Sequence, residues 1–162
     1  MFIAVATVGV FIAAAGPGPA YAGCESSNKP SSRLSKDKAR NAVVCLINKE
    51  RSGQNVKSHK KLEKAAQGHT AYMRMHNCFS HQCSGESGLV ARVKRTGYSS
   101  TPSVGEVILS YPDLATPRHV VRAWMNSAPH KEQILGRKYD DIGVGVSTRN
   151  GVVLYTADLA HK

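Results

Sequence analysis

Residues 140–160, DDIGVGVSTRNGVVLYTADLA, decide the fold. Ile142, Val144 and Val146 alternate with Gly143, Gly145 and Ser147, the period of two that puts one set of side chains on each face of a strand. Asn150-Gly151 follows, a dipeptide that tolerates the two positive-φ positions of a type I′ turn, so the stretch reads as an antiparallel hairpin. Two glycines on one strand face imply either a helix packed closely there or a tightly bent strand.

Working outward, 101–112, TPSVGEVILSYP, is β-branched and bounded by prolines, and reads as a further strand. Before it come three helical patterns. SKDKARNAVVCLINKERSG (35–53) starts at a Ser35 N-cap and spaces Ala39, Ala42, Val43, Leu46 and Ile47 for a 3.6-residue period. KKLEKAAQGHTAYMRMHN (60–77) repeats the period through Leu62, Ala65, Ala66, His69, Tyr72 and Met73, with Gly68 as a local weakness. SGLVARVKRTG (87–97) ends on Gly97, which suits a left-handed cap. After the strand, Thr116-Pro117 opens TPRHVVRAWMN, and Ser127 is expected to cap SAPHKEQILG, which stops at Gly136. Helices first, then a strand, a helix pair and a hairpin give no βαβ crossovers. The order predicts an α+β layered fold with an antiparallel sheet.

A chain of 162 residues, 41% hydrophobic and 20% charged, has the size and make-up of one globular domain and excludes disordered and collagen-like classes. Residues 1–15, MFIAVATVGVFIAAA, are apolar and uncharged and break at GPGPAYAG, where Ala20-Tyr21-Ala22 offers a small-x-small cleavage pattern. An export signal over residues 1–22, cut after Ala22, is the expectation, since fifteen apolar residues fall short of the ~20 a membrane span needs. A polar arm, 23–34, then leads into a domain over 35–162. Export makes disulfides of Cys24, Cys45, Cys78 and Cys83, with three connectivities open; Cys24–Cys45 and Cys78–Cys83 are preferred, the second closing CFSHQC. A zinc site on Cys78, His81 and Cys83 has the wrong spacing and an oxidising compartment against it.

Lys and Arg number 22 against 11 Asp and Glu, a net +11 that points to an anionic partner. Counting localises it. Residues 26–74 hold twelve Lys/Arg against Asp37, Glu50 and Glu63, +9 of the total, which reads as a solvated helix face or an envelope-binding surface. Nucleic acid is disfavoured by export and by the 6% aromatic content, which leaves no stacking platform.

Three polar residues stand where a core has no need of them. His81 lies in the loop that Cys78–Cys83 would stiffen, Glu106 interrupts the apolar VGEVIL, and His130 falls in the first turn of a short helix, where the dipole favours a neutral ring. Two imidazoles and a carboxylate are ingredients of a zinc or other divalent site, with the carboxylate as ligand, orienter or base. By plain alternation Glu106 could equally face solvent. His59, His69, His76, His119 and His161 receive no role. There is no Gly-x-Ser-x-Gly, and oxidised cysteines leave no thiolate nucleophile.

These segments also come in a familiar order: CLINKER, LEKAAQGHTAYM, NCFSH, GEVI, AWMNSAPHKEQIL and YDDIGVGV. Over about residues 38–160 the chain resembles the CAP superfamily of cysteine-rich secretory, antigen-five and pathogenesis-related proteins, in its secreted bacterial branch. The resemblance implies an α-β-α sandwich around a central antiparallel sheet, with a cleft of two histidines and acidic residues onto which His81, Glu106 and His130 map. Ser127 stands where many eukaryotic members have a second cleft glutamate, and Val107 where Asn is usual, which weakens the case for a metal. The expectations are a secreted, monomeric protein binding a small-molecule, lipid or envelope ligand, or a divalent cation such as zinc held by His81 and His130. The alternatives are a metal-dependent hydrolase with Glu106 as base, and a charge-driven module for the cell envelope.

Overall fold

A computed structural model describes residues 23–99 and 102–162; the expected export signal lies outside the described residues. The first long helix, α1 (Lys36–Glu50), begins where the Ser35 side chain accepts from the Lys38 N–H, and buries Ala39, Ala42, Val43, Leu46 and Ile47 as its spacing predicts. Next comes α2 (Lys60–Met75), N-capped by the ring of His59 and burying Leu62, Ala65, Ala66, His69, Thr70 and Met73. The short α3 (Leu89–Arg95) turns into Gly97 at φ 75°. Then follow α4 (Pro117–Met125) and α5 (Ala128–Leu135). Thr116 and His119 cap α4 reciprocally, so His119, although exposed, has a local structural task. Ser127 occupies the N-cap position of α5 without making a side-chain cap bond, a correction to its expected part.

Strands β2 (Ser103–Pro112), β3 (Asp141–Arg149) and β4 (Val152–His161) are antiparallel, with the β3–β4 turn formed by Asn150 and Gly151 at φ 51° and 74°. A two-residue strand that hydropathy did not reveal, β1 (Lys57–Ser58), adds to β3 in parallel, so the four-stranded sheet is mixed and runs β1-β3-β4-β2. One face packs on α1, α4 and α5 through Val43, Leu46, Ile47, Val120, Trp124 and Ile134. The other packs on α2 and α3. These layers are the expected α-β-α sandwich.

Gly143 and Gly145 show why glycine is needed on the second face. A Cβ at either would collide with the backbone of α2, at Leu62–Glu63 and at Ala66. The close approach, and not a bend, is the reason for the pair.

Both preferred disulfides are present, Cys24–Cys45 and Cys78–Cys83, and among the described residues no cysteine is free. The polar segment 23–34 is tied to α1 by Cys24–Cys45. Cys24, Ser27 and Ser31 are buried, and the Ser31 hydroxyl donates to the Ala115 carbonyl at 2.6 Å and meets the Tyr155 hydroxyl at 2.9 Å. Part of the basic excess is also structural. Buried Arg51 donates to the carbonyls of Gln54, Gly136 and Tyr139, tying the end of α1 to the chain entering β3, and Arg74 donates to those of Ser147 and Val152.

Candidate functional site

β2 is the last strand of the sheet, so one of its edges is open to a groove. A cleft of about 380 Å³ lies there, lined by His81, Leu89, Gly105, Glu106, Pro129, His130 and Gln133. Each of the three expected residues arrives on a different element. His81 comes from the disulfide-closed loop after α2, Glu106 from β2 and His130 from the first turn of α5. Gly105 lets α5 close down: a Cβ there would strike the Gln133 amide oxygen and the Tyr139 hydroxyl, which are themselves hydrogen-bonded at 2.9 Å.

Glu106 does not face solvent; its side chain is 2% exposed. The His81 Nδ1–H donates to Glu106 Oε1 at 2.8 Å, leaving Nε2 in a side chain 59% exposed. Arg92 holds the other carboxylate oxygen through Nη2 and donates from Nη1 to the His81 carbonyl at 3.0 Å. One guanidinium therefore grips both the backbone of His81 and the carboxylate that orients its ring. Burial first, and then the charge of His81, lower the His130 pKa from 6.5, so its ring is neutral at pH 7, in the direction expected for a helix start.

A buried polar set behind the cleft was given no role by sequence reasoning. His69, fully buried, donates from Nδ1 to Glu86 Oε1 at 2.8 Å, while its Nε2 stands 3.8 Å from Glu106 Oε1. Glu86 also accepts the Cys83 N–H at 3.3 Å. Asp158 is the cross-strand partner of Glu106, and burial, followed by the charge of that carboxylate, raises its pKa well above 3.8. Two signals were available: His69 sits on the apolar face of α2, and Asp158 interrupts an apolar strand as Glu106 does. Glu86 and Arg92 carry no local signal.

Among the described residues no group of three or more His, Cys, Asp or Glu is placed to hold a metal ion. The cleft offers two imidazoles, and its carboxylate is engaged by Arg92 and His81. A zinc site uses three or four protein ligands, so this donor set does not fit a resident zinc ion. Nor is any helix among the described residues long and apolar enough to cross a membrane.

Comparison with known proteins agrees with this architecture. The model of the cysteine-rich secretory protein family, CAP, matches residues 44–157. The uncharacterized protein YkwD of Bacillus subtilis (strain 168) is 34% identical over 123 residues, which cover 74% of this chain and 46% of that protein. An extracellular SCP-domain protein of Bacillus anthracis superposes with a TM-score of 0.69 at 23% identity, over 78% of this chain and 41% of that one. An outer surface protein of Borrelia burgdorferi superposes at 0.70 and 19% identity, over 80% of this chain and 96% of that one. The chain thus spans less than half the length of its Bacillus relatives. With the sandwich, the two disulfides and the match over residues 44–157 together, the chain belongs to the CAP family of cysteine-rich secretory proteins.

Proposed function

We propose that this CAP domain is exported and acts outside the cytoplasm as a binding domain, its cleft taking a small polar ligand between His81 and His130 without catalytic turnover. The observation that carries this reading is the oriented pair at the cleft. An exposed imidazole is fixed through Nδ1 by a buried carboxylate, and opposite it stands a second, neutral imidazole. Such rings donate or accept hydrogen bonds to a ligand while their positions stay fixed. Two disulfides, the apolar residues 1–22 ending in Ala20-Tyr21-Ala22, and the extracellular and outer-surface relatives support export.

A carboxylate-oriented imidazole also suits the activation of water, and this favours hydrolysis as the second reading. Zinc content separates the two. The purified protein and its His81→Ala plus His130→Ala variant are expected to carry equal, near-zero zinc by elemental mass spectrometry, while small polar fragments shift the cleft amides of the first and not of the second. Stoichiometric zinc in the wild type, lost in the variant, would overturn the reading of the cleft as a metal-free binding site and admit metal-dependent hydrolysis.

A further inference from the structure

We propose that a second cavity, on the α2–α3 flank of the domain, binds the phosphate group of a phosphorylated sugar or polyol. The cavity encloses about 360 Å³, with His69, Glu86 and Arg92 among its inner residues and Lys64 and Arg95 on the outer helix surfaces. None of the three cleft residues lines it, and this assignment does not rest on the reading of the cleft.

Its charge is the first argument. Neither Lys64 nor Arg95 has a carboxylate partner among the described residues, and Arg95 is held over the loop by its bond to the Ser87 hydroxyl at 2.6 Å. The one carboxylate of the cavity, Glu86, is already answered by His69 Nδ1 at 2.8 Å and by Arg92 at 3.8 Å. The cavity mouth is left cationic. A guanidinium fork and an ammonium on the lining of one cavity suit a tetrahedral oxyanion, which can accept from both.

Gly68 is the second, independent argument. Glycine inside a helix costs about 0.5–1 kcal/mol relative to alanine. Unlike Gly143 and Gly145, Gly68 is required neither by packing nor by backbone conformation: a Cβ there would have nothing within 4 Å, and the residue is helical. What the missing side chain does leave is space in the cavity wall, which Gly68 lines. The volume exceeds that of a bare phosphate and falls in the range of small-molecule sites, which points to a phosphate carrying a sugar or polyol.

The test is a 1H–15N NMR titration of the full chain with glucose 1-phosphate and glycerol 3-phosphate, against glucose and acetate as controls. The phosphorylated probes are expected to shift the amides of Gly68, Gly85, Ser87 and Thr96. Lys64→Ala with Arg95→Ala should weaken binding about tenfold or more. Gly68→Leu, whose Cβ meets nothing within 4 Å and which favours the helix, puts a branched side chain at the cavity wall and should abolish the shifts while the melting temperature holds or rises. His81→Ala plus His130→Ala should leave the titration unchanged, so a failure of the cleft reading stays separate. Acetate acting as strongly as the phosphates, shifts spread over the exposed lysines of α1, or unchanged binding in Gly68→Leu would each overturn the proposal.

Discussion

The two faces of the sheet are built to different ends. Along β4, Val153, Tyr155, Ala157 and Leu159 join Leu46, Ile47, Trp124 and Ile134 in one apolar cluster against α1, α4 and α5. The alternate residues, Leu154, Thr156, Asp158 and Ala160, turn to α2 and α3, and there the apolar contacts break into two smaller groups. Between those groups the Thr70 and Thr156 hydroxyls are hydrogen-bonded at 2.9 Å, and Asp158, Glu106, Arg92, Glu86 and His69 fill the rest. Burying charge is costly even when it is paired, so the second face gives up stability that an apolar filling would provide. Its polar set lies between the cleft and the second cavity, and orients residues of both.

The sharpest test of this contrast sets Trp124→Ala against Arg92→Met. Trp124 is fully buried and donates to the Ile108 carbonyl at 3.1 Å, and its truncation is expected to cost about 3–5 kcal/mol in denaturant unfolding. Arg92→Met takes the guanidinium from the buried Glu106 carboxylate, leaving it the His81 N–H, and should cost a similar amount, about 3–5 kcal/mol. The two faces part at the next step. Adding Glu106→Met should recover most of the loss from Arg92→Met, because it removes the stranded charge, whereas a second truncation beside Trp124 only enlarges a cavity. No recovery would mean that the polar face is itself a source of stability.

The disulfides give a smaller difference. Cys24–Cys45, with a sequence separation of 21, braces the apolar face, and its removal by Cys24→Ser plus Cys45→Ser should cost about 2–4 kcal/mol. Cys78–Cys83, with a separation of 5, closes a short loop and should cost less in melting temperature. Its loss should appear instead as disorder of His81, read as weakened hydrogen-exchange protection and a lost Nδ1 contact to Glu106.

Smallest is the effect of pH. Asp158 has a raised pKa in the folded chain, so its contribution is full below the ordinary 3.8 and is lost as pH rises toward the folded value. The melting temperature of Asp158→Asn relative to wild type should therefore increase from about pH 4 to about pH 7. His130 runs the other way. Its lowered pKa contributes above 6.5 and is lost on acidification, so His130→Gln should flatten the acid side of the profile. Parallel pH profiles for wild type and both variants would remove the assigned protonation states.

Much of this was legible beforehand because it is local. Spacing located α1 and α2, Thr116-Pro117 located the start of α4, and Asn150-Gly151 located the turn, since each depends on neighbours a few residues apart. His81, Glu106 and His130 were legible as candidates through family order, and the cleft does bring them together. Less legible was β1, too short for a period and formed only by pairing with β3. Arg51 looked like one more surface charge, but two of its partners, the Gly136 and Tyr139 carbonyls, lie more than eighty residues away.

By itself the sequence determined the helices and the three long strands, the glycine pair on one strand face, the even set of cysteines and the family pattern. Tertiary structure alone decided which polar residues became partners. Glu106 meets Asp158 across two strands, Arg92 from α3 reaches the same carboxylate, and His69 and Glu86 close the set from α2 and its following loop. The physical reason is that a helix or strand is specified by near neighbours and a repeating period. The protonation and grip of a buried charge depend on every group brought within a few ångströms of it, wherever that group lies in the chain.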